Sequence, residues 1–312
     1  MSKFLVTGGA GFIGSHIVHE LVSKKHFVRV LDNFSSGRKE NLGDLAGKIE
    51  IMRGDIRDKS TCLKAAKGID YILHQAALRS VPKSMVDPAS YNEVNIGGTL
   101  NMLEAASSCN AKSLVFASSS SIYGEVNVFP EKEDALSQLI SPYALSKLAG
   151  EYYCKIFSHH YRLPTACLRY FNVFGPRQAL DDEYAVVIPK FIYCIMHDRQ
   201  PPIFGTGKQS RDFTFVKNVV SANLLASGNK LLKGTVFNVA SGKDYTVLEL
   251  VEILNSVMGK NIKPKLLAPR PGDVFKTLAD LTKSKKILGY KPAVDFVEGL
   301  RQTVRYFGEK YD

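Results

Sequence analysis

The segment that most constrains the fold is Lys3-Phe4-Leu5-Val6-Thr7 followed by Gly8-Gly9-Ala10-Gly11-Phe12-Ile13-Gly14-Ser15-His16. A short β-branched and apolar run stops at a glycine cluster. Ile13, Ile17, Val18, Leu21 and Val22 then recur at helical spacing. The pattern predicts strand, tight turn, helix. Gly9, Gly11 and Gly14 satisfy G-x-G-x-x-G, and Gly8, Gly11 and Gly14 the looser G-x-x-G-x-x-G. Such a turn wants positive φ, admits a pyrophosphate to bare backbone, and packs its helix closely on the strand. The first N–H groups of the helix then face the phosphates. A second strand, His26–Leu31, ends in Asp32, 18 residues after Gly14. A carboxylate there accepts from an adenosine ribose diol and repels a 2′-phosphate. The order predicts a dinucleotide site that takes NAD. A glycine-rich turn beside a chance acid is the alternative, and it needs too many coincidences.

Strand–helix alternation continues. Ile49–Met52 reads as a third strand, and Gly54-Asp55-Ile56-Arg57-Asp58 after it as a loop suited to an adenine. Tyr71–Leu73 leads into His74-Gln75-Ala76-Ala77, whose small residues suit close approach to a cofactor. A helix is predicted over 89–108 with Leu100, Leu103 and Ala106 on one face, and a strand over Ser113–Ala117 running into Ser118-Ser119-Ser120-Ser121. Ser141-Pro142 opens the next helix, serine as N-cap and proline as first helical residue. Leu145, Leu148, Ala149, Tyr152 and Ile156 give it an apolar face. After a strand at Thr165–Tyr170, prolines 176, 189, 201, 202, 264, 269, 271 and 292 divide shorter pieces, and Val236–Val239 reads as one more strand returning to the sheet. The expected fold is α/β, a Rossmann-type doubly wound parallel sheet with a second, smaller α/β substrate lobe. Residues 1–172 and 212–240 would form the first part, and 173–211 and 241–312 the second.

Composition excludes other classes. At 312 residues, 45% hydrophobic and 23% charged, the chain can bury a large core. No signal-peptide pattern and no 18-residue apolar run is present, so no membrane span and a cytoplasmic location are expected. Cysteines 62, 109, 154, 167 and 194 are scattered without a C-x-x-C, and the histidines show no H-x-x-x-H. Reduced thiols and no metal are expected. The net charge of +11 is dispersed, and its densest cluster, Lys283, Lys285 and Lys286, has no interleaved aromatics. That disfavours nucleic acid. An anionic pyrophosphate substrate accounts for part of the excess.

Tyr143 and Lys147 lie four apart and leave one helix face. By itself such a pair reads as surface chemistry; Ser119 at a strand end, in a chain that holds a dinucleotide, changes that. A phenol with a pKa of about 10 is a poor base at neutral pH. The Lys147 ammonium and the positive charge of an oxidised nicotinamide would lower it, and the Ser119 hydroxyl would bond the same reacting oxygen. Together they remove an alcohol proton while hydride leaves the carbon.

These residues resemble the extended short-chain dehydrogenases/reductases, specifically the NAD-dependent nucleotide-sugar epimerases of the UDP-hexose 4-epimerase kind. The likeness covers nearly the full length. It rests on TGGAGFIGSH (7–16), Asp32-Asn33-Phe34-Ser35-Ser36-Gly37, Gly54-Asp55, HQAA (74–77), SSSIYG (119–124), SPYALSK (141–147), LRYFNVFGPRQ (168–178), SRDFTFV (210–216) and RPGDVFKTLAD (270–280). The resemblance implies that NAD is held by Gly8, Gly11, Phe12, Ile13, Gly14, Asp32, Asn33, Ser35, Ser36, Gly37, Asp55, Ile56, Gln75, Ala76, Ala77, Asn95, Ala117, Ser118, Tyr143, Lys147, Tyr170 and Val173. It implies a UDP-sugar site of Arg79, Ser80, Ser119, Ser120, Ser121, Tyr143, Asn172, Val187, Ile188, Ile203, Phe204, Arg211, Arg270, Asp273 and Thr277. Ser119, Tyr143 and Lys147 would be catalytic, with Asn172, Arg211, Arg270 and Asp273 on the UDP moiety. Planar arginines suit a diphosphate better than lysine does.

The implied reaction takes hydride from sugar carbon 4, lets the 4-keto sugar swing about its pyrophosphate link, and returns hydride to the opposite face. LHQAALxSVPxS, YFNVFGPRQ and VIPK (187–190) point to epimerases accepting UDP-N-acetylglucosamine and UDP-N-acetylgalactosamine. Thr277 falls at the family's gate beside the sugar 2-substituent, where a bulky tyrosine goes with restriction to glucose and galactose. Arg79 departs from the pattern, which has a small residue there; it either narrows the pocket or reaches a carboxylate. A UDP-glucose 4-epimerase and an enzyme of UDP-glucuronate are the enzyme alternatives, and a non-enzymatic NAD-binding regulator the third. The resemblance also implies a homodimer formed by pairing the two helices 89–108 and 142–160 across a twofold.

Overall fold

The computed structural model describes residues 1–126, 128–180, 187–229, 232–269 and 274–311. The strands of its large sheet are β1 (Lys3–Thr7), β2 (Phe27–Asp32), β3 (Glu50–Arg53), β4 (Tyr71–His74), β5 (Ser113–Ser119), β6 (Thr165–Tyr170) and β7 (Lys233–Val239). They form one seven-stranded sheet in the order β7-β6-β5-β4-β1-β2-β3, every neighbouring pair parallel. The longer helices are α1 (Phe12–Ser23), α2 (Lys59–Ala66), α3 (Gly98–Ser108), α4 (Pro142–His160), α5 (Val187–Met196), α6 (Val216–Ser227), α7 (Val247–Met258) and α8 (Phe296–Tyr311).

Successive strand residues face opposite sides, so the sheet divides its apolar residues between two cores. Val6, Val30, Leu73, Val115 and Leu168 pack with Ile17, Val18 and Leu21 of α1 and with Val219 and Ala222 of α6. Leu5, Leu31, Ile72, Phe116 and Cys167 pack on the other face with Ala65 of α2, Met102 and Leu103 of α3, and Cys154 and Phe157 of α4. Burial on both faces is why these strands read as continuous apolar runs. A third core joins Phe174, Phe213 and Phe215 to α5, α7 and α8 through Phe191, Ile195, Leu250, Leu254, Phe296 and Phe307. The strand order reverses between β1 and β4, so the loops leaving them splay apart and open a crevice at the strands' carboxyl ends. No helix among the described residues is long and apolar enough to cross a membrane.

One helix differs from its sequence expectation. The helix expected over 89–108 is Pro88–Tyr91, a π-helical turn at Asn92–Gly97, and then α3. A π turn carries an extra residue and is frequent at functional sites. In α4 the apolar stripe faces outward: Leu145 is 52%, Tyr152 60% and Ile156 45% exposed. The buried face holds Ser146, Lys147, Gly150, Glu151, Cys154 and Phe157. Helical periodicity reveals that an apolar stripe exists, and says nothing of what covers it.

Candidate active site

A cavity of about 1360 Å³ opens at the carboxyl ends of the strands. Its wall takes Gly8, Gly11, Phe12, Ile13 and Gly14 from the first turn, Asp32, Asn33, Ser35, Ser36 and Gly37 after β2, and Asp55 and Ile56 after β3. Gln75, Ala76, Ala77, Arg79 and Ser80 follow β4; Ala117, Ser118, Ser119, Ser120 and Ser121 lie at the end of β5; Tyr143 and Lys147 come from α4. Tyr170, Asn172 and Val173 follow β6, and Val187, Ile188, Ile203, Phe204, Arg211 and Thr277 close the far side. Arg270 and Asp273 lie outside the described residues. Asn95 is off the wall. It sits in the π turn with its amide bonded to both backbone groups of Leu78 and to Ser146, so it braces the wall from behind.

At one end the geometry suits a dinucleotide. Gly8 has φ +66°, and a β-carbon on it would come within 2.8 Å of the Ala76 nitrogen. The positive φ therefore belongs to the glycine outside the strict G-x-G-x-x-G. Gly14 is required instead because a side chain there would strike the Gly8 carbonyl. Gly11 caps α1 without a side-chain bond, leaving backbone N–H groups for phosphate. The Asp32 carboxylate is pinned by the amides of Ala10 (2.9 Å) and Phe34 (2.8 Å), and each oxygen keeps a lone pair for a ribose hydroxyl. Asp55 accepts from Asn33 at 2.9 Å and pairs with Arg57, whose hydrogen bonds hold its carboxyl far below the usual range. Bare backbone, helix amino terminus and carboxylate together fit NAD.

Ser119, Tyr143 and Lys147 meet in the middle. Ser141 caps α4 through the Ala144 amide at 3.1 Å, with Pro142 beginning the helix. That places Tyr143 in the first turn, beside the end of β5. Burial pushes the Tyr143 phenol above its ordinary value, while a hydrogen bond with Ser119 and the charge of Arg79 pull it back. Lys147 is buried, and its Nζ donates to the Ala117 carbonyl at 2.8 Å, 5.9 Å from the centre of the Tyr143 ring. Burial pushes its ammonium down to about 8. Lys147 thus stands beside the Tyr143 ring with its ammonium tied to the end of β5, and Arg79 lines the same cavity.

Polar groups behind the wall escaped sequence reading. The Ser118 hydroxyl donates to Glu151 at 2.6 Å, and Glu151 pairs with Arg169 at 2.9 and 2.8 Å. Tyr170 and Gln75 are tied together through Asn223. These partners lie 18 to 148 residues apart, and no local pattern links them. Gln178 also lines the cavity, with its Oε1 buried and lacking a hydrogen-bond partner among the described residues. At the far end of the cavity, Thr277 Oγ1 accepts from Asn172 Nδ2 at 3.0 Å and from the Asp212 amide at 3.2 Å. Both its lone pairs are engaged, and its proton remains to donate. Arg211 crosses to the Phe275 carbonyl at 3.3 Å.

The model of the NAD dependent epimerase/dehydratase family matches residues 4–240. Among solved structures, the UDP-N-acetylglucosamine 4-epimerase of Methanobrevibacter ruminantium M1, in complex with UDP-N-acetylmuramic acid, is 42% identical with a TM-score of 0.95, over 99% of each chain. The UDP-glucose 4-epimerase of Thermotoga maritima with UDP-glucose is 38% identical with a TM-score of 0.93, over 99% of this chain and 100% of that one. The Thermus thermophilus UDP-glucose 4-epimerase in complex with NAD is 36% identical with a TM-score of 0.89, over 98% of this chain and 99% of that one. With most of the chain matched and these likenesses running its whole length, the chain is an NAD-using enzyme and belongs to the NAD dependent epimerase/dehydratase family.

Proposed function

We propose that the protein is a UDP-sugar 4-epimerase that interconverts UDP-N-acetylglucosamine and UDP-N-acetylgalactosamine, and accepts UDP-glucose and UDP-galactose as well. The observation that carries this reading is Thr277, a small residue on the cavity wall, clamped by Asn172 and the Asp212 amide with its proton free to point at an acetamido carbonyl. In this reading Tyr143 takes the sugar hydroxyl proton, Ser119 hydrogen-bonds the same oxygen, and Lys147 holds the ribose beside it. NAD, when bound, supplies reversible hydride acceptance. Asn172 and Arg211 hold the UDP moiety together with Arg270 and Asp273, so the sugar turns while its anchor stays fixed.

An aromatic ring at position 277 would leave no room for an acetamido group to swing. Overpacking of that kind costs about 1–3 kcal/mol, or roughly ten- to hundredfold in rate. Thr277→Tyr should therefore slow conversion of the acetylated sugars by roughly ten- to hundredfold and spare UDP-glucose and UDP-galactose, as read by chromatography of the products. Equal loss of both activities, or a wild type that ignores acetylated sugars, would remove Thr277 as the gate. The second reading, a UDP-glucose 4-epimerase, is favoured by the likeness to the UDP-glucose 4-epimerases of Thermotoga maritima and Thermus thermophilus.

A further inference from the structure

The helix Pro88–Tyr91 ends on a residue outside every motif of the cofactor and sugar sites. Tyr91 is buried, and its ring stands edge-on to Tyr143, with centroids 6.3 Å and planes 86° apart. Aromatic pairs prefer this arrangement, positive edge against negative face. Its hydroxyl reaches the turn after β4, sharing one proton between the carbonyls of Ser80 at 2.8 Å and Arg79 at 3.1 Å. That turn needs holding. Ser80 sits at φ 116°, a conformation that a residue with a side chain keeps only when its surroundings impose it. Arg79, one residue earlier, lines the same cavity as Tyr143, and its charge favours the Tyr143 phenolate. One side chain thus touches both the ring of the proton-transfer tyrosine and the strained turn that presents a cation to it.

We propose that Tyr91 is a positioning residue for the reaction, whose hydroxyl fixes the Arg79–Ser80 turn and so sets how close the Arg79 guanidinium stands to the Tyr143 phenol. The inference rests on Tyr143 being the proton-transfer group. The groups facing that phenol are Ser119 from β5, Arg79 from the turn after β4, Tyr91 itself, and Lys147 from its own helix, tied to Ala117. Arg79 is the one that hangs on the Tyr91 hydroxyl through its backbone. A cation that drifts away stabilises the phenolate less, so less of the base form is present at neutral pH.

Tyr91→Phe keeps the ring and its contact with Tyr143 and removes only the hydroxyl. In the NAD-loaded enzyme converting UDP-N-acetylglucosamine or UDP-glucose, the acidic limb of the kcat–pH profile should move upward by about half to one pH unit. That corresponds to a fall of about three- to tenfold in kcat at pH 7, shrinking toward alkaline pH. In an Arg79→Ala background the same change should move the limb no further, because nothing remains to be positioned. A profile that overlays wild type overturns the proposal. So does a loss equal at every pH and matched by a lower Tm, or a second full step in the Arg79→Ala background. Wild-type turnover in Tyr143→Phe overturns the role of Tyr143 and this proposal with it. An inactive Tyr143→Phe beside an unmoved Tyr91→Phe profile overturns this proposal alone.

Discussion

Among the polar residues of the crevice, His74 shows how bonding decides a role. Thr99 donates to the Asn95 carbonyl at 2.6 Å, so its oxygen only accepts from His74 Nε2 at 3.1 Å. Nδ1 is then bare and accepts from Thr7 at 2.7 Å, and Thr7 in turn accepts from the Ala76 amide. The ring is a neutral strut, pushed down to about 3 by burial, and takes no part in proton transfer. Tyr143 is the opposite case: it is half-buried, lines the cavity and bonds Ser119. Tyr143→Phe should leave the fold and UDP-sugar binding intact while lowering turnover by roughly 10² or more; near wild-type rates would sink the mechanism. Ser119→Ala should lose less, because the neighbouring Ser121 hydroxyl, 2.9 Å from Ser119 Oγ, is placed to substitute.

At the scale of elements, α4 is held to the sheet by more than apolar contact. Glu151 on its buried face accepts from Arg169 of β6 and from Ser118 of β5, so one carboxylate joins the helix to two strands just below the reacting groups. The Arg169 and Glu151 side chains are 4% and 5% exposed. Removing one of them strands a buried charge, which typically costs about 3–5 kcal/mol. Glu151→Ala should show a loss of that size in urea unfolding. A loss of about 0–1 kcal/mol, the worth of an exposed pair, would mean that the bridge holds nothing.

For the whole molecule, two expectations concern pH and assembly. Burial pushes Glu131 up to about 7 and Asp212 up to about 6, whereas unfolded carboxyls titrate near 4. Between those values the folded chain keeps protons that the unfolded chain has lost. The contribution is therefore full below about pH 4 and lost as pH rises through the folded values. Buried His16 and His74, lowered to about 4 and 3, work in the opposite sense, so Glu131 must be isolated by comparison. Relative to wild type, Glu131→Gln should gain Tm from pH 5 to about pH 7 and level off above it; a constant difference would refute the assignment. We also propose that the molecule is a homodimer through the exposed Leu145, Tyr152 and Ile156 of α4, an uncovered apolar stripe of the kind that marks an interface. Light scattering should give twice 34.5 kDa, and Tyr152→Glu with Ile156→Glu should give the single mass. A wild type at 34.5 kDa ends the idea.

Local chemistry was enough to locate the sheet and most of the crevice. Strand runs, the glycine turn, Asp32 and the Ser141-Pro142 cap are short-range signals, and the parallel sheet carries its ligands at strand ends by topology. Thr165–Tyr170 was legible to the residue, because an apolar run between a helix end and a polar loop has few other ways to fold. What the sequence could not express was contact between distant segments. Glu151 with Arg169, Tyr170 with Asn223, and Tyr91 with the Arg79–Ser80 turn depend on which surfaces the packed layers bring together. The same holds for the direction in which the Lys147 ammonium points. A four-residue spacing puts it on the Tyr143 side of α4, and only the folded chain brings the Ala117 carbonyl of β5 within 2.8 Å of it.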